Sequence, residues 1–203
     1  MIDISLKKDE TSLKEIKNIF PENSKFNDYD LFIIPSYCYK TKFPNHKENK
    51  NLILDKISEM DFGSGCFHNL TKEDFTVPKS YNRLYAEIFL PNLFEISKPF
   101  IEITKVNNVS FFFFQYQPNN VDQTFLHHHL SGNQKSNTIF SGTYFLELYD
   151  PNDGIIFFDP NEQVGYRPII EEGDVIFFDP SLPHVGPKTK YAKTVITFNF
   201  YMD

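Results

Sequence analysis

The chain has 203 residues, 40% of them hydrophobic and 17% aromatic, a length and apolar content that suit one domain with a substantial core. Its aromatic wealth, 23 Phe and 11 Tyr, favours sheet over helix. A formal net charge of −7 argues against a nucleic-acid-binding surface, which needs a basic face, and no run approaches the ~18 apolar residues of a membrane span.

Two cysteines, Cys38 and Cys66, are too few for a disulfide framework and read as reduced thiols. The opening MIDISLKKDE lacks the apolar core of a signal peptide, so a cytoplasmic location is expected. Only Arg83 and Arg167 are arginine, so an anion held by this chain would meet lysine, a point charge rather than a planar fork.

The first half carries helical patterns. TSLKEIKNIF (11–20) spaces Leu13, Ile16, Ile19 and Phe20 as a helix does, and Pro21 would stop it. DLFIIPSYCYKTKF (30–43) reads as strand interrupted at Pro35. KENKNLILDKISEM (47–60) puts Ile53, Leu54, Ile57 and Met60 on one helical face. SYNRLYAEIFLPNLFEIS (80–97) predicts a third helix, bent or split at Pro91.

From about residue 100 the pattern turns to short β runs: FIEITKV, VSFFFFQYQ, TFLHHHL, IFSGTYFLELY, GIIFFDP, YRPII, GDVIFFDP and KTVITFNFY. PNDG (151–154) is a turn between two of them, and SFFFFQY reads as a buried core strand. Such a series fits a jelly roll, so the fold class expected is mainly β with flanking helices. Residues 1–203 are read as one domain, with 1–99 a helix-rich support and 100–203 the β core.

Three of the six histidines stand together in FLHHHLSGNQ. On a strand, residues two apart share a face, so His127 and His129 can point inward together while His128 points away. Neutral imidazole suits Fe, Zn, Cu or Ni, but a pair needs at least a third ligand. His184, in EEGDVIFFDPSLPHVGP, follows a turn, an apolar strand and a proline turn, which would bring it to a barrel rim. His46 and His68 lie in the helical half and a loop and are left out. Taken singly, three histidines on an exposed strand or one before a turn also fit purely structural roles. Taken together, in this order in a β-rich half, they point to a metal site.

At these residues the sequence resembles the 2-oxoglutarate- and Fe(II)-dependent oxygenases. The matching segments are HHH (127–129), SGTYFLELYDPNDGIIFFDP (141–160), EEGDVIFFDPSLPHVGP (171–187) and KTVITFNF (193–200). The stretch 31–60 is similar to the opening of that group. The resemblance implies a double-stranded β-helix, a cupin-like jelly roll, holding iron at one end. It implies an oxygenase, most simply a hydroxylase, that couples decarboxylation of 2-oxoglutarate to oxidation of a substrate by O2. Carried over residue by residue, His127, His129 and His184 match the metal ligands. Lys193, nine residues after His184, stands where the group usually has arginine and would pair with the distal carboxylate of 2-oxoglutarate. Lys188 and Lys190 are rivals for that task. Tyr144 is a candidate hydrogen-bonding partner of the co-substrate or a core tyrosine, and Asn199 has a structural or cavity-lining role.

The sequence departs from the pattern in places. A third histidine replaces the usual Asp or Glu, removing one negative charge from the metal's surroundings. LSGNQKSNTIF (130–140) is long and polar, fitting a loop over the site. If His128 faced inward instead, its partner two residues on would be Leu130, which binds no metal. Other readings are a cupin-like three-histidine metalloenzyme without 2-oxoglutarate, and a jelly-roll binding module with a degenerate site. The substrate, a small molecule or a protein side chain, is left open by the sequence, as is the oligomeric state.

Overall fold

The structure is a computed structural model of the chain. It describes residues 14–15, 30–33, 37–60, 72–73, 83–104, 108–117, 126–129, 138–159 and 164–201. In chain order these form β1 (Lys14–Glu15), β2 (Asp30–Ile33), β3 (Tyr37–Lys42), α1 (His46–Ser58), β4 (Lys72–Glu73), α2 (Ala86–Thr104), β5 (Asn108–Gln117), β6 (Thr138–Leu148), a 3-10 turn at Pro151–Asp153, β7 (Ile156–Asp159), β8 (Val164–Tyr166), β9 (Asp174–Phe178), β10 (His184–Val185) and β11 (Lys193–Tyr201). Among the described residues no helix is long and apolar enough to cross a membrane.

The strands make two antiparallel sheets. The larger runs β1-β2-β3-β9-β6-β11-β5-β4, and the smaller runs β10-β7-β8. His127 extends the smaller sheet through a single antiparallel bridge to His184. The first half of the chain therefore contributes strands to the large sheet as well as helices.

Period-two alternation sorts the large sheet into two apolar layers. On one face Tyr144, Leu146, Val175, Phe177, Ile196, Phe198 and Phe200 pack with Ile53 of α1 and Phe89 and Leu93 of α2. On the other, Phe145, Ile176, Phe178 and Val195 meet Ile155, Phe157, Ile170 and Leu182 from the smaller sheet and its connections. The second layer is the jelly-roll interior; the first fixes the helices outside it. A sheet covered on both faces explains why its strands read as continuous apolar runs rather than as alternating ones.

The helix expected over 47–60 forms as α1, with Ile53 fully buried and Leu54 and Ile57 packed on the same layer. Asn45 starts it at φ 48, a left-handed conformation that asparagine tolerates better than most residues. The strand expected over 30–43, interrupted at Pro35, forms as two strands, β2 and β3, which are antiparallel partners.

Three expectations are corrected. Of the helix expected at 11–20, the described part is Lys14–Glu15, and it pairs with Leu31 and Asp30 as a strand; the rest lies outside the described residues. Pro91 does not split α2, which runs on through Pro91 and Pro99. Buried Phe89 and Leu93 anchor it on either side of Pro91. FIEIT is the end of α2, not a strand. Its β-branched residues cost only fractions of a kcal/mol in helix propensity, too little to stop a helix already propagating.

Gly142 lies where β6 passes beneath the ring of Phe198, its neighbour on β11. A Cβ there would come within 2.3 Å of that ring and 2.7 Å of the Ile176 carbonyl oxygen. Both are closer than packed atoms come, and the oxygen belongs to a paired backbone that cannot move aside. Gly142→Ala is expected to destabilise the fold by about 1–3 kcal/mol, the usual range for overpacking. Denaturant unfolding followed by far-UV circular dichroism would measure it; an unchanged midpoint would show that the ring yields.

Candidate metal centre

His184 opens β10, paired with Phe157 of β7 on one side. On its other side it exchanges both backbone bonds with His127: the His127 N–H reaches the His184 carbonyl at 3.1 Å, and the reverse bond is 2.9 Å. Two residues on, the His129 N–H donates to the Pro180 carbonyl at 2.8 Å. These bonds hold 127–129 extended against the 180–184 segment. Of TFLHHHL the described residues, 126–129, form a single bridge rather than a regular strand, and that bridge suffices to put His127 and His129 on the same side.

The three imidazoles His127, His129 and His184 converge. One ring nitrogen from each lies within 4.8 Å of the others. Burial grades across the group: His127 is exposed, His129 half-buried and His184 buried. The trio sits at the mouth between the two sheets, with Phe157 and Phe178 against His184.

Hydrogen bonding selects the tautomer. His184 Nδ1–H donates to the Leu182 carbonyl at 2.9 Å, which leaves its Nε2 lone pair available. His129 Nδ1 lies 2.8 Å from Asn199 Oδ1 and 2.7 Å from Ser141 Oγ. The Ser141 hydroxyl itself donates to Asn199 Oδ1 at 2.6 Å. Its proton is thus spent, so Nδ1 of His129 carries the hydrogen and Nε2 again keeps the lone pair. Burial holds both rings neutral, pulling His129 below the usual histidine range and His184 down to about 3, helped by the other histidines. Neutral imidazoles oriented through Nδ1 are the donor set a first-row divalent ion takes. The residues present fit such a metal.

Other expected site residues fall elsewhere. Tyr144 is not on the histidine side. Its ring stacks on Phe43 at 4.1 Å, and its hydroxyl meets His46 Nδ1 at 2.7 Å, on the face covered by the helices. SGTYFL gives no polar–apolar alternation from which its face could be read. His46, left out of the site, ties α1 to the large sheet through Tyr144 and through Glu172 Oε1 at 3.3 Å. Asn199 reaches the ring of His129. Ser141 went unrecognised; its place two residues before Thr143 and opposite Asn199 is legible only from the register of β6 and β11. His128 is exposed. Cys38 is a buried free thiol, held protonated by its burial. His68, Cys66 and most of LSGNQKSNTIF lie outside the described residues.

Lys193 is 2% exposed on the inner face of β11. Its ammonium donates to the Asp153 carbonyl at 2.8 Å and the Gly154 carbonyl at 3.3 Å. Lys188 and Lys190, its rivals, are exposed. Burial drops the Lys193 ammonium to about 7, with only partial compensation from Asp153. Its ordinary value is 10.5, so above pH 7 the unfolded chain binds a proton that the folded chain gives up. Stability therefore rises with pH from about 7 to about 9, by up to about 1.4 kcal/mol per unit from this group. Above that window buried Cys38 and Tyr144, both favoured as neutral groups, act in the opposite direction. Lys193→Met is expected to flatten the rise between pH 7 and 9 in urea titrations; an unchanged slope would place its origin in another group.

No protein-family model matches the chain, and no curated protein does. Among solved structures it is similar to a prolyl-4-hydroxylase of Pseudomonas putida, with a TM-score of 0.60 and 12% identity over 82% of this chain and 92% of that one. It is similar also to a viral collagen prolyl hydroxylase from Paramecium Bursaria Chlorella virus-1, solved as its 2OG complex, with a TM-score of 0.54 and 14% identity over 82% of this chain and 96% of that one. An oxidoreductase of the 2OG-Fe(II) oxygenase family from Burkholderia pseudomallei gives a TM-score of 0.57 and 11% identity over 80% and 84%. At such identities the likeness is one of fold: this chain has the jelly-roll fold of the 2OG-Fe(II) oxygenases.

Proposed function

We propose that the chain is a non-haem Fe(II)- and 2-oxoglutarate-dependent oxygenase, in the simplest case a hydroxylase. The observation that carries this reading is the convergence of His127, His129 and His184 within 4.8 Å at the mouth of a jelly roll. In this reading His127, His129 and His184 hold iron through three neutral nitrogens. Bound there, the metal would supply O2 activation coupled to decarboxylation of 2-oxoglutarate, and three protein ligands leave positions open for both.

The chain's own residues do the rest. Leu182 orients the imidazole of His184, and Asn199 and Ser141 that of His129, before any metal arrives, so little is lost in ordering these two on binding. Phe157 and Phe178 line the inner side of His184 and keep water from that flank. The ammonium of Lys193 lies beside Gly154, three residues before Phe157, the pairing partner of His184. In this reading a five-carbon diacid chelated at one end by the metal turns its other carboxylate toward that side of the jelly roll. Lys193 would meet that carboxylate, while Tyr144, on the far face of the sheet, would not. The substrate is a small molecule or a protein side chain; prolyl hydroxylase neighbours favour the second.

An anaerobic titration tests the reading. Apo-protein mixed with Fe(II) and then 2-oxoglutarate should develop a visible metal-to-ligand charge-transfer band that needs both additions. His127→Ala, His129→Ala and His184→Ala should each abolish it, and His128→Ala should largely keep it. Iron binding with no band would favour a three-histidine metalloenzyme without 2-oxoglutarate. No iron binding would favour a binding module. Asn199→Ala should weaken iron binding by about 10- to 100-fold, the usual cost of losing a group that orients a ligand, without abolishing the band at saturating iron. An unaltered iron affinity in that variant would mean that Ser141 alone orients the ring.

A further inference from the structure

Three segments meet around the 3-10 turn at Pro151–Asp153. The end of β6 leads into Tyr149 and Asp150, the approach to β11 carries Lys190 and Tyr191, and the stretch after β8 carries Arg167 and Ile169. The Lys190 N–H donates to Asp153 Oδ2 at 3.2 Å, which joins the first two. Gly154 lies against Ile170, which joins the third: a Cβ on that glycine would stand 3.3 Å from the Ile170 Cβ. Leu148, the residue before Tyr149, pairs with Lys193. Six residues of strand, about 20 Å, run from Lys193 to Asn199, which bonds His129. The tyrosines therefore stand well away from the histidines.

Two features here are not used by the fold. The first is apolar. Tyr149 is 76% exposed and Tyr191 42%, yet their rings meet, with centroids 4.5 Å apart and planes tilted by 43°. Ile169 is 59% exposed, so three of the six large apolar side chains exposed among the described residues belong to these segments. Scattered singly such residues need no explanation, whereas gathered ones mark a contact surface. The second feature is cationic. Arg167 Nε has no hydrogen-bond partner, and the residue keeps partial exposure. Asp150 lies within electrostatic reach of both Arg167 and Lys190. Its Oδ1, however, accepts from the Asn152 N–H and side-chain amide, each at 2.8 Å. One carboxylate thus faces two cations, beside an exposed aromatic pair, in a chain of net charge −7.

Tyrosine and arginine together make up the hot spots of protein interfaces: the rings supply area, and the guanidinium a planar donor for carboxylates. Rings this exposed stand on a surface, which suits an extended segment better than a small anion. We infer that this surface docks an acidic segment of a partner protein, whose aromatic side chains lie on Tyr149 and Tyr191 while its carboxylates pair with Arg167 and Lys190. Docking here needs neither the metal nor the oxygenase reading.

The test uses the apo-protein and short fluorescein-labelled peptides, followed by fluorescence anisotropy at low salt. One peptide combines glutamates with tyrosines, a second has alanines in place of the tyrosines, and a third has lysines in place of the glutamates. The first should bind saturably and weaken as salt is added, and the other two should bind at least about tenfold more weakly. Arg167→Gln should weaken binding of the first about tenfold, the value of a hydrogen bond between charged groups. Tyr149→Ala should weaken it about fivefold or more, as truncation of a hot-spot ring does. Because Tyr149 is exposed, that variant should melt as the wild type does, which separates lost docking from lost fold. His127→Ala should leave the affinity unchanged. No saturable binding of the first peptide, equal binding of the lysine peptide, an affinity indifferent to both Arg167→Gln and Tyr149→Ala, or loss of binding in His127→Ala would overturn the proposal. The charge-transfer titration of the same protein reports on the oxygenase reading separately.

Discussion

Everything at the site depends on the alternation of one strand. β11 lies between β5 and β6 within the large sheet, and its side chains are dealt alternately to two interiors. Ile196, Phe198 and Phe200 go to the helix-covered layer, where they weld α1 and α2 to the sheet. Lys193, Val195, Thr197 and Asn199 go to the barrel. A one-residue slip of register would exchange the two sets, driving phenylalanine rings into the metal centre and an ammonium beneath the helices. The ring of Phe198 over Gly142 opposes such a slip, since only the glycine row leaves room for it. The apolar face thus sets the address of the polar one.

The smaller sheet is secured more sparingly. Its edge at the histidines is one bridge, two reciprocal backbone bonds between His127 and His184. Those bonds do what a longer strand would do elsewhere: they fix the distance between a ligand on one segment and a ligand on another. Bonds to Leu182, Asn199 and Ser141 then fix the ring planes of His184 and His129. Position comes from backbone pairing and orientation from buried polar partners, so the convergence of the three rings needs no ion to create it.

Much of this was legible in the sequence. The apolar β runs of the second half, the helix at 47–60 and the i, i+2 spacing of His127 and His129 all rest on local periodicity, which survives into the fold. What was not legible depends on partners distant in the chain. FIEIT has the composition of a strand but continues a helix because α2 is already propagating into it. Tyr144 stands in a segment where both faces are covered, so no alternation of polarity shows which way it points. Ser141 acquires its role only when β6 and β11 come into register. His184 was legible because a turn, an apolar strand and a proline turn lead to it, an order that brings an imidazole to a barrel rim.

The inner face of the large sheet shows where stability has been given up. Jelly-roll interiors are filled most cheaply with aliphatic and aromatic groups, and this one is so filled around Phe145, Phe157 and Phe178. Yet the inner face also holds Ser141, Thr197, Asn199 and a buried lysine. Replacing such groups by apolar ones of like shape would ordinarily be neutral or favourable for folding. Ser141 and Asn199 are reconciled with burial by bonding each other and His129. Lys193 is reconciled in part by two carbonyls, at the expense of its ordinary basicity. Thr197 is not reconciled at all. The satisfied polar groups stand beside the histidines and the unsatisfied hydroxyl one row further along β11, so the polarity of this face follows the site and not the packing.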